Sequence, residues 1–385
     1  METYSAQFIS ELVHTRRTLH AMPEVAFNEH KTAAFILNWL SDYPELEIVS
    51  GIGGTGIIAT LNPGKDGPVV VLRTDMDALP VNELTGLPWQ SNTPGVMHAC
   101  GHDGHMTCML GAIKVLYGIR NELSGQVKFL FQPAEEVGRG AREIISSGQL
   151  DGATAVFGFH NLPTMEKGMV ATIPGAVVAG SHGLDITVRG HGTHAAFPQE
   201  GIDSIFVATQ ILSSLYQIPG RFFSPLENIV ISIGHINAGT VSNIIPAEVR
   251  IKGTIRTLSA ATSKRAVEIV QTSTEKIAEA YGAKAIVSCE QGLPVGINNN
   301  QLLQDVHESF FEAFGPENYT LNCPPGMFSE DFSCYSQVAP SLFTFIGTKA
   351  KDDMPFLHSP YYDFDDEIIG TGVKYFVTAA RSILG

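Results

Sequence analysis

Cationic residues are scarce in this 385-residue chain: Lys plus Arg number 24 against 39 Asp plus Glu, a formal net charge of -15. So acidic a surface repels phosphate backbones and argues against nucleic acid as a partner. Cysteine is sparse as well. The five residues Cys100, Cys108, Cys289, Cys323 and Cys334 are scattered, odd in number and without a C-x-x-C pair, which argues against a disulfide framework and for a reducing, cytoplasmic setting. No stretch approaches the roughly 18 apolar residues of a membrane span, and the opening METYSAQFISELVHTRR is polar and acidic before any apolar run. Neither a membrane segment nor a signal peptide is expected. Internal repeats and low-complexity tracts are also missing. What remains is a chain that is 44% hydrophobic, long enough for two or three domains of about 150 residues each.

Apolar residues recur at helical spacing from Tyr4 to Leu40 (Phe8, Ile9, Leu12, Val13, then Ala33, Ile36, Leu37, Leu40), with a break at Pro23 and a restart after Asn28, a candidate N-cap. Two opening helices follow from that. Beyond them, short apolar runs at Val69–Leu72, Val127–Phe131 and Ala155–Phe159 alternate with helical patterns near Gly104–Tyr117 and Ala141–Ser147. Strands apolar on both faces and separated by helices predict a sandwiched, mainly parallel sheet, an α/β architecture. From about Gly180 to Pro294 the texture changes to half-buried alternation, as in Leu184–Arg189 and Val249–Arg256, with helical stretches at Ser204–Gln217 and Ala261–Tyr281. This α+β region reads as an insertion, residues 181–293, within a discontinuous domain of 1–180 and 294–385. A helix near Gln301–Phe314, a strand at Leu342–Ile346 and a last helix from Asp366 return to the first texture.

Gly51-Ile52-Gly53-Gly54-Thr55-Gly56 matches G-x-G-x-x-G literally. A dinucleotide site needs a helix to open directly after those glycines, whereas Ile57–Leu61 leads on to Asn62-Pro63-Gly64. Strand, turn, strand is the expected local structure, and an oxidoreductase reading is set aside.

Metal-ligand residue types gather in five segments: Asp75-Met76-Asp77, His98 to His105 (HACGHDGH), Glu135-Glu136, His160, and Leu357-His358-Ser359-Pro360. Three of these follow predicted parallel strands directly, where open α/β sheets place their sites. Cys, His and carboxylate together suit a borderline cation such as zinc, and the set offers more donors than one tetrahedral ion uses, so two ions are expected. Bland readings stand beside these. Cys108 reads as inert core; His98 and His105 are either helpers behind the ligands or helix-end polar residues; Asp75 and Asp77 could cap the loop after their strand. Asp77 is also placed to hold the distal ring nitrogen of a ligating histidine. Glu135 and Glu136 could be a solvated helix start, but adjacent side chains diverge, so one can bind metal while the other faces water as a base.

In order along the chain, HACGHDGH, QPAEE, GFHNLP, GHGTHAAFP, SNIIPAE, SEDF and LHSPYYDFDDE resemble the metal-dependent N-acyl-amino-acid amidohydrolases, the hippurate hydrolases, bacterial aminoacylases and auxin-conjugate hydrolases of the aminoacylase and carboxypeptidase superfamily. The resemblance implies a zinc-peptidase-like, three-layer catalytic domain interrupted by a ferredoxin-like lid. It implies Cys100, His102, Glu136, His160 and His358 as metal ligands, with Cys100 bridging, His102 and His160 on one ion, and Glu136 and His358 on the other. It further implies Glu135 as general base and acid, Asp77 behind the ligands, His194 at the scissile carbonyl, and Asn243 with Arg256 at the substrate carboxylate. Asp75 stands where those relatives carry His, which leaves its role open. The cofactor expected is a pair of divalent ions, zinc foremost with manganese, cobalt or nickel as alternatives.

The substrate expected is a small N-acyl amino acid, and exposed lid-strand edges leave room for a homo-oligomer. Dipeptides or ureido acids at the same centre, or a non-catalytic metal- or ligand-binding relative, are the rival readings. His191, Arg139 and Phe328 depart from residues common at their positions in the resembled family (Lys, Gly and Gly), and Arg139 and Phe328, close to the catalytic motifs, bear on substrate identity.

Overall fold

The computed structural model describes residues 4–349 and 354–385. Helix α1 (Ala6–His20) starts at Ser5, whose Oγ accepts the N–H of Phe8 at 3.1 Å. Helix α2 (His30–Leu40) is not capped by Asn28: the residue at the cap position is Glu29, whose side chain makes no capping bond. Glu24 serves instead, its Oε2 accepting the N–H of Lys31 and Thr32 at 2.7 and 2.9 Å, so a residue outside the helix satisfies its open donors. The glycine run then joins β1 (Leu46–Ile52) to β2 (Gly56–Leu61) as an antiparallel hairpin, with Gly53 and Gly54 at φ 59° and 105°. Strand follows turn, which removes the helix end a dinucleotide pyrophosphate would need.

Next in order come β3 (Val69–Asp75), α3 (His102–Gly118), β4 (Gln126–Gln132), α4 (Gly140–Ser146) and β5 (Ala155–Glu166). They belong to an eight-stranded sheet ordered β1, β2, β4, β3, β5, then Ser341–Lys349, Val170–Ala171 and Tyr319–Thr320. Its centre, from β4 through β3 and β5 to Ser341–Lys349, is parallel. Leu72, Phe129 and Phe157 pack into one cluster with α1, α2, α3 and the C-terminal helix Ile369–Leu384, while their strand neighbours Val71, Leu130 and Val156 are equally buried. A sheet covered on both faces explains the unbroken apolar runs.

Two strands outrun their apolar runs. β3 continues through Arg73, Thr74 and Asp75 because the buried Arg73 guanidinium is paired, Nη1 with Asp75 at 2.8 Å and Nε with Gln132 at 2.9 Å. β5 passes through His160 because Ser341–Lys349 pairs with it as far as Glu166.

The start and finish of the chain meet in an ion cluster. Buried Arg16 reaches Asp103, Asp363 and Asp366 at 3.4, 2.7 and 2.8 Å, and His20 bridges Asp103 and Glu83 at 2.8 and 3.3 Å. Close packing of α3 on the C-terminal helix depends on small residues along one stripe: a Cβ on Gly111 would lie 2.5 Å from Val373, and one on Gly372 would lie 2.4 Å from the Cys108 sulfur. Cys108 is therefore a space-limited core residue.

The chain divides into two compact units: Met1–Gly175, Ile297–Pro324 and Cys334–Gly385 form the first, and Ala176–Gly296 with Pro325–Ser333 the second. The second unit runs strand Gly180–Arg189, helix Ser204–Phe222, strands Ile229–Ala238 and Glu248–Thr257, helix Ala260–Ala280 and strand Lys284–Gln291. In its antiparallel sheet the order is Ile229–Ala238, Glu248–Thr257, Gly180–Arg189, Lys284–Gln291, the split β-α-β arrangement of ferredoxin-like folds. Leu184, Ile186 and Val188 face its helices and their alternates face water, which accounts for the half-buried pattern. Among the described residues no helix is long and apolar enough to cross a membrane.

Gly372→Ala is expected to lower stability by about 1–3 kcal/mol through overpacking against Cys108, read as a lower denaturant midpoint, and Cys108→Ala in that background should recover part of it. Equal midpoints for Gly372→Ala and the parent would contradict the packing described.

Candidate metal centre

The register of the parallel strands sets the site. Asp75 stands opposite Gln132, and Arg73 opposite Gly158, which puts Asp75 level with His160. Residues leaving these strands at that level therefore converge. Cys100 and His102 flank Gly101, the left-handed residue (φ 90°) that opens α3; a Cβ there would sit 2.4 Å from the Asn161 side-chain oxygen. Only glycine allows the turn and the close approach together.

The structure brings all five expected ligands together. One atom each from Cys100, His102 and His160 lie within 4.8 Å of one another, as do those of Cys100, Glu136 and His358, and of His102, Glu135 and Glu136. His160 Nε2 is 3.4 Å from Cys100 Sγ, and its Nδ1 donates to the Asn161 carbonyl at 2.8 Å. His102 Nδ1 donates to the Asp77 carbonyl at 2.9 Å. In both rings the Nδ1–H bond leaves the Nε2 lone pair aimed at the cluster, the tautomer a metal-binding histidine needs. His358, half-exposed and at φ 65°, is tied by its N–H to the Ala99 carbonyl at 2.8 Å, with Nε2 3.5 Å from Glu136.

Asp77 holds His102 mainly through its backbone carbonyl, its carboxylate lying 3.5 Å from Nδ1. That carboxylate accepts the N–H groups of Glu135 and Glu136 at 3.1 and 3.0 Å, fixing the glutamate pair from beneath. Asp75 bonds Arg73 with one oxygen and His105 Nδ1 with the other, each at 2.8 Å, and its Oδ2 also lies 3.9 Å from His102 Nε2. Its place is behind the cluster. His105 continues through Nε2 to Asn161 at 2.7 Å, and Asn161 reaches Tyr362 at 2.6 Å, so His105 supports the Asn161 peptide that orients His160. His98 is buried with neither ring nitrogen hydrogen-bonded.

Electrostatics support a cation. Burial pushes Glu136 up to about 7 against the pull of His102, and burial together with Glu136, Glu135 and Asp75 raises the Cys100 thiol well above its usual range. Against desolvation, Asp75, Asp77 and Glu136 lift His102 to about 10. Burial, followed by His105, pushes His160 well below the usual imidazole range. This pocket gathers more potential anions than it can keep ionised, and proton and cation compete for the same atoms. His102 Nε2 and Glu136 Oε1 are buried without a hydrogen-bond partner. Orphaned lone pairs facing a thiol and carboxylates fit a divalent cation.

In the second unit, His194 pairs with Ile244 across two short strands, and the N–H of Ala195 bonds the Asn243 carbonyl at 3.0 Å, so His194 and Asn243 are neighbours. Arg256 is placed differently. Its Nη1 donates to Thr254 at 2.7 Å, and it lies eight residues along strand Glu248–Thr257 from the end where Gly190 bonds Ala247. At ~3.3 Å per residue that is about 26 Å.

Arg73, Gln132, Asn161 and Tyr362 lie outside the residues that the sequence marks as candidates. Arg73, Gln132 and Asn161 carry there one signal, polarity at the ends of apolar runs, and Tyr362, in the loop after His358, carries none. Asp77→Asn keeps one amide-oxygen acceptor and turns an NH2 donor toward the second backbone N–H, so it should weaken cation binding by about 10- to 100-fold, measured by calorimetric titration; unchanged affinity would contradict the support described.

Known proteins share this sequence and architecture over most of their length. An N-acetylcysteine deacetylase of Bacillus subtilis (strain 168) is 36% identical over 384 residues, 98% of each chain. An N-acyl-L-amino acid amidohydrolase of Geobacillus stearothermophilus is 36% identical over 293 residues, 76% of this chain and 79% of the other. A Bacillus subtilis crystal structure described as a dinuclear metal binding peptidase from the M20 family superimposes with a TM-score of 0.85 at 33% identity, covering 98% of both chains. The sequence pattern of peptidase family M20/M25/M40 matches residues 71–382, most of the length, and the chain belongs to that family.

Proposed function

We propose that this chain hydrolyses the amide bond of N-acyl amino acids at a centre for two divalent cations. The observation that carries the reading is the pair of three-donor groups sharing Cys100, with a further carboxylate, Glu135, beside them. In this reading Cys100, His102 and His160 would hold one cation, and Cys100, Glu136 and His358 the other. Relatives named for deacetylation of N-acetylcysteine and for N-acyl-L-amino acid amidohydrolysis support the substrate class, and the neighbour described as dinuclear supports the cation count. When bound, the two ions lower the pKa of a water molecule and polarise the carbonyl, and the sulfur, imidazole and carboxylate donors favour zinc over manganese, cobalt or nickel.

Glu135, its N–H held by Asp77, takes a proton from the attacking water as the new C–O bond forms. It then delivers that proton to the amide nitrogen as the C–N bond breaks, releasing a carboxylic acid and a free amino acid. The Asp77 and His105 contacts keep donors and base fixed through both transfers, which lowers reorganisation in the transition state. For substrate contact we assign His194 and Asn243 as one pair. Arg256, eight residues along strand Glu248–Thr257 from Glu248 and bonded to Thr254, is assigned a separate contact.

Glu135→Ala is expected to retain bound metal while kcat falls by about 10²- to 10⁴-fold. Equal loss of metal would make Glu135 a ligand instead. Metal analysis of the purified protein, followed by assay on N-acyl amino acids and free dipeptides with chelation and readdition of each ion, tests the reaction itself. Turnover of dipeptides alone, or no turnover on either panel, would overturn the assignment.

A further inference from the structure

Glu29 lies outside every motif that marks the centre, yet its carboxylate is completely buried. One oxygen accepts the N–H of Phe27 and the N–H of Ala134, both at 3.0 Å, and the other accepts the Thr55 hydroxyl at 2.6 Å. Both amides belong to residues in the left-handed region: Phe27 has φ 63° and Ala134 has φ 56°. Among the described residues His358 is the one other non-glycine with positive φ. Such a conformation disfavours any residue with a Cβ and persists only where surrounding bonds impose it.

Ala134 directly precedes the glutamate pair. Its carbonyl accepts from the N–H groups of Arg139 and Gly140 at 3.3 and 3.1 Å, and the Glu135 carbonyl accepts from Gly138 at 2.7 Å, which closes the turn carrying both carboxylates. Three successive amides are thus held by two buried carboxylates: Ala134 by Glu29, and Glu135 and Glu136 by Asp77. Removing the Asp77 half alone would still leave the peptide before Glu135 locked. Removing the Glu29 half frees Ala134 to relax to negative φ, and that rotation re-aims the next side chain.

We propose that Glu29 is a positioning residue for the reaction, holding Ala134 in a left-handed conformation so that Glu135 meets the water and Glu136 meets its cation. It touches neither substrate nor cation and acts through the backbone. The inference rests on the hydrolytic reading of Glu135 and Glu136 given above, so its test includes readouts independent of turnover.

Glu29→Leu removes the acceptor at similar size. It should lower kcat by about 10- to 100-fold with KM little changed, and speed amide exchange of the 134–136 segment in hydrogen–deuterium exchange mass spectrometry. Glu29→Gln is the conservative rescue: one amide oxygen can accept both N–H groups while its NH2 faces the Thr55 hydroxyl, so kcat and exchange should stay near the parent's. Ala134→Gly placed in the Glu29→Leu background should recover about three- to tenfold of the lost kcat, because glycine takes positive φ without the side-chain penalty. The proposal is overturned if Glu29→Leu keeps parental kcat and exchange, if Glu29→Gln loses as much as Glu29→Leu, or if Ala134→Gly recovers nothing. Should the parent chain itself fail on the substrate panel, the hydrolytic reading falls, and the exchange data alone decide whether Glu29 holds the turn.

Discussion

The site depends first on strand register. With Asp75 opposite Gln132 and level with His160, three parallel strands end their apolar runs at one level, and the Asp75–Asp77, Glu135–Glu136 and His160 segments leave from there. A shift of one residue in any of these strands would turn its side chains to the other face. The buried polar ends hold that register, because Arg73 on β3 must meet Gln132 on β4 at 2.9 Å as well as Asp75 at 2.8 Å, so the sheet core and the chemistry are one constraint.

On this frame sits a polar chain that would be costly to bury unpaired. From Tyr362 through Asn161, His105, Asp75 and Arg73 to Gln132, each buried group meets the next at 2.9 Å or less. His102, His105 and Arg73 hold Asp75 well below the usual carboxylate range although burial opposes it. One step nearer the centre, the balance reverses. Cys100 and Glu136 are pushed toward their neutral forms, a state that a divalent cation converts to ligands. Satisfied polar groups behind and unsatisfied ones in front give the pocket its direction.

Much of this was legible in the sequence because it lay in local patterns. The alternation of apolar runs with helical spacing marked the strands and helices of the first unit, and Leu184–Arg189 displayed the one wet face of the second. All five expected ligands stood in short strings, and the structure gathers them. Long-range hydrogen bonds were not legible. Nothing beside Glu24 says that it closes α2, nothing beside Arg73 says that its charge is matched by Asp75 and Gln132, and nothing near Glu29 points to Ala134, 105 residues away. The strand ends at Asp75 and Glu166 were missed for the same reason: hydropathy sees the side chain and not the partner that lets it be buried.

The ion cluster around Arg16 bears on how the chain is made. Arg16 leaves the ribosome 350 residues before Asp366, a delay of roughly 20–70 s at typical elongation rates. Through that interval its guanidinium has Asp103 within reach but neither Asp363 nor Asp366, and an under-neutralised buried charge is destabilising. The ferredoxin-like insertion is synthesised in the meantime and can settle on its own core. Locking of α1 onto the α/β unit therefore waits for Asp363 and Asp366, so this helix is among the last elements to be fixed.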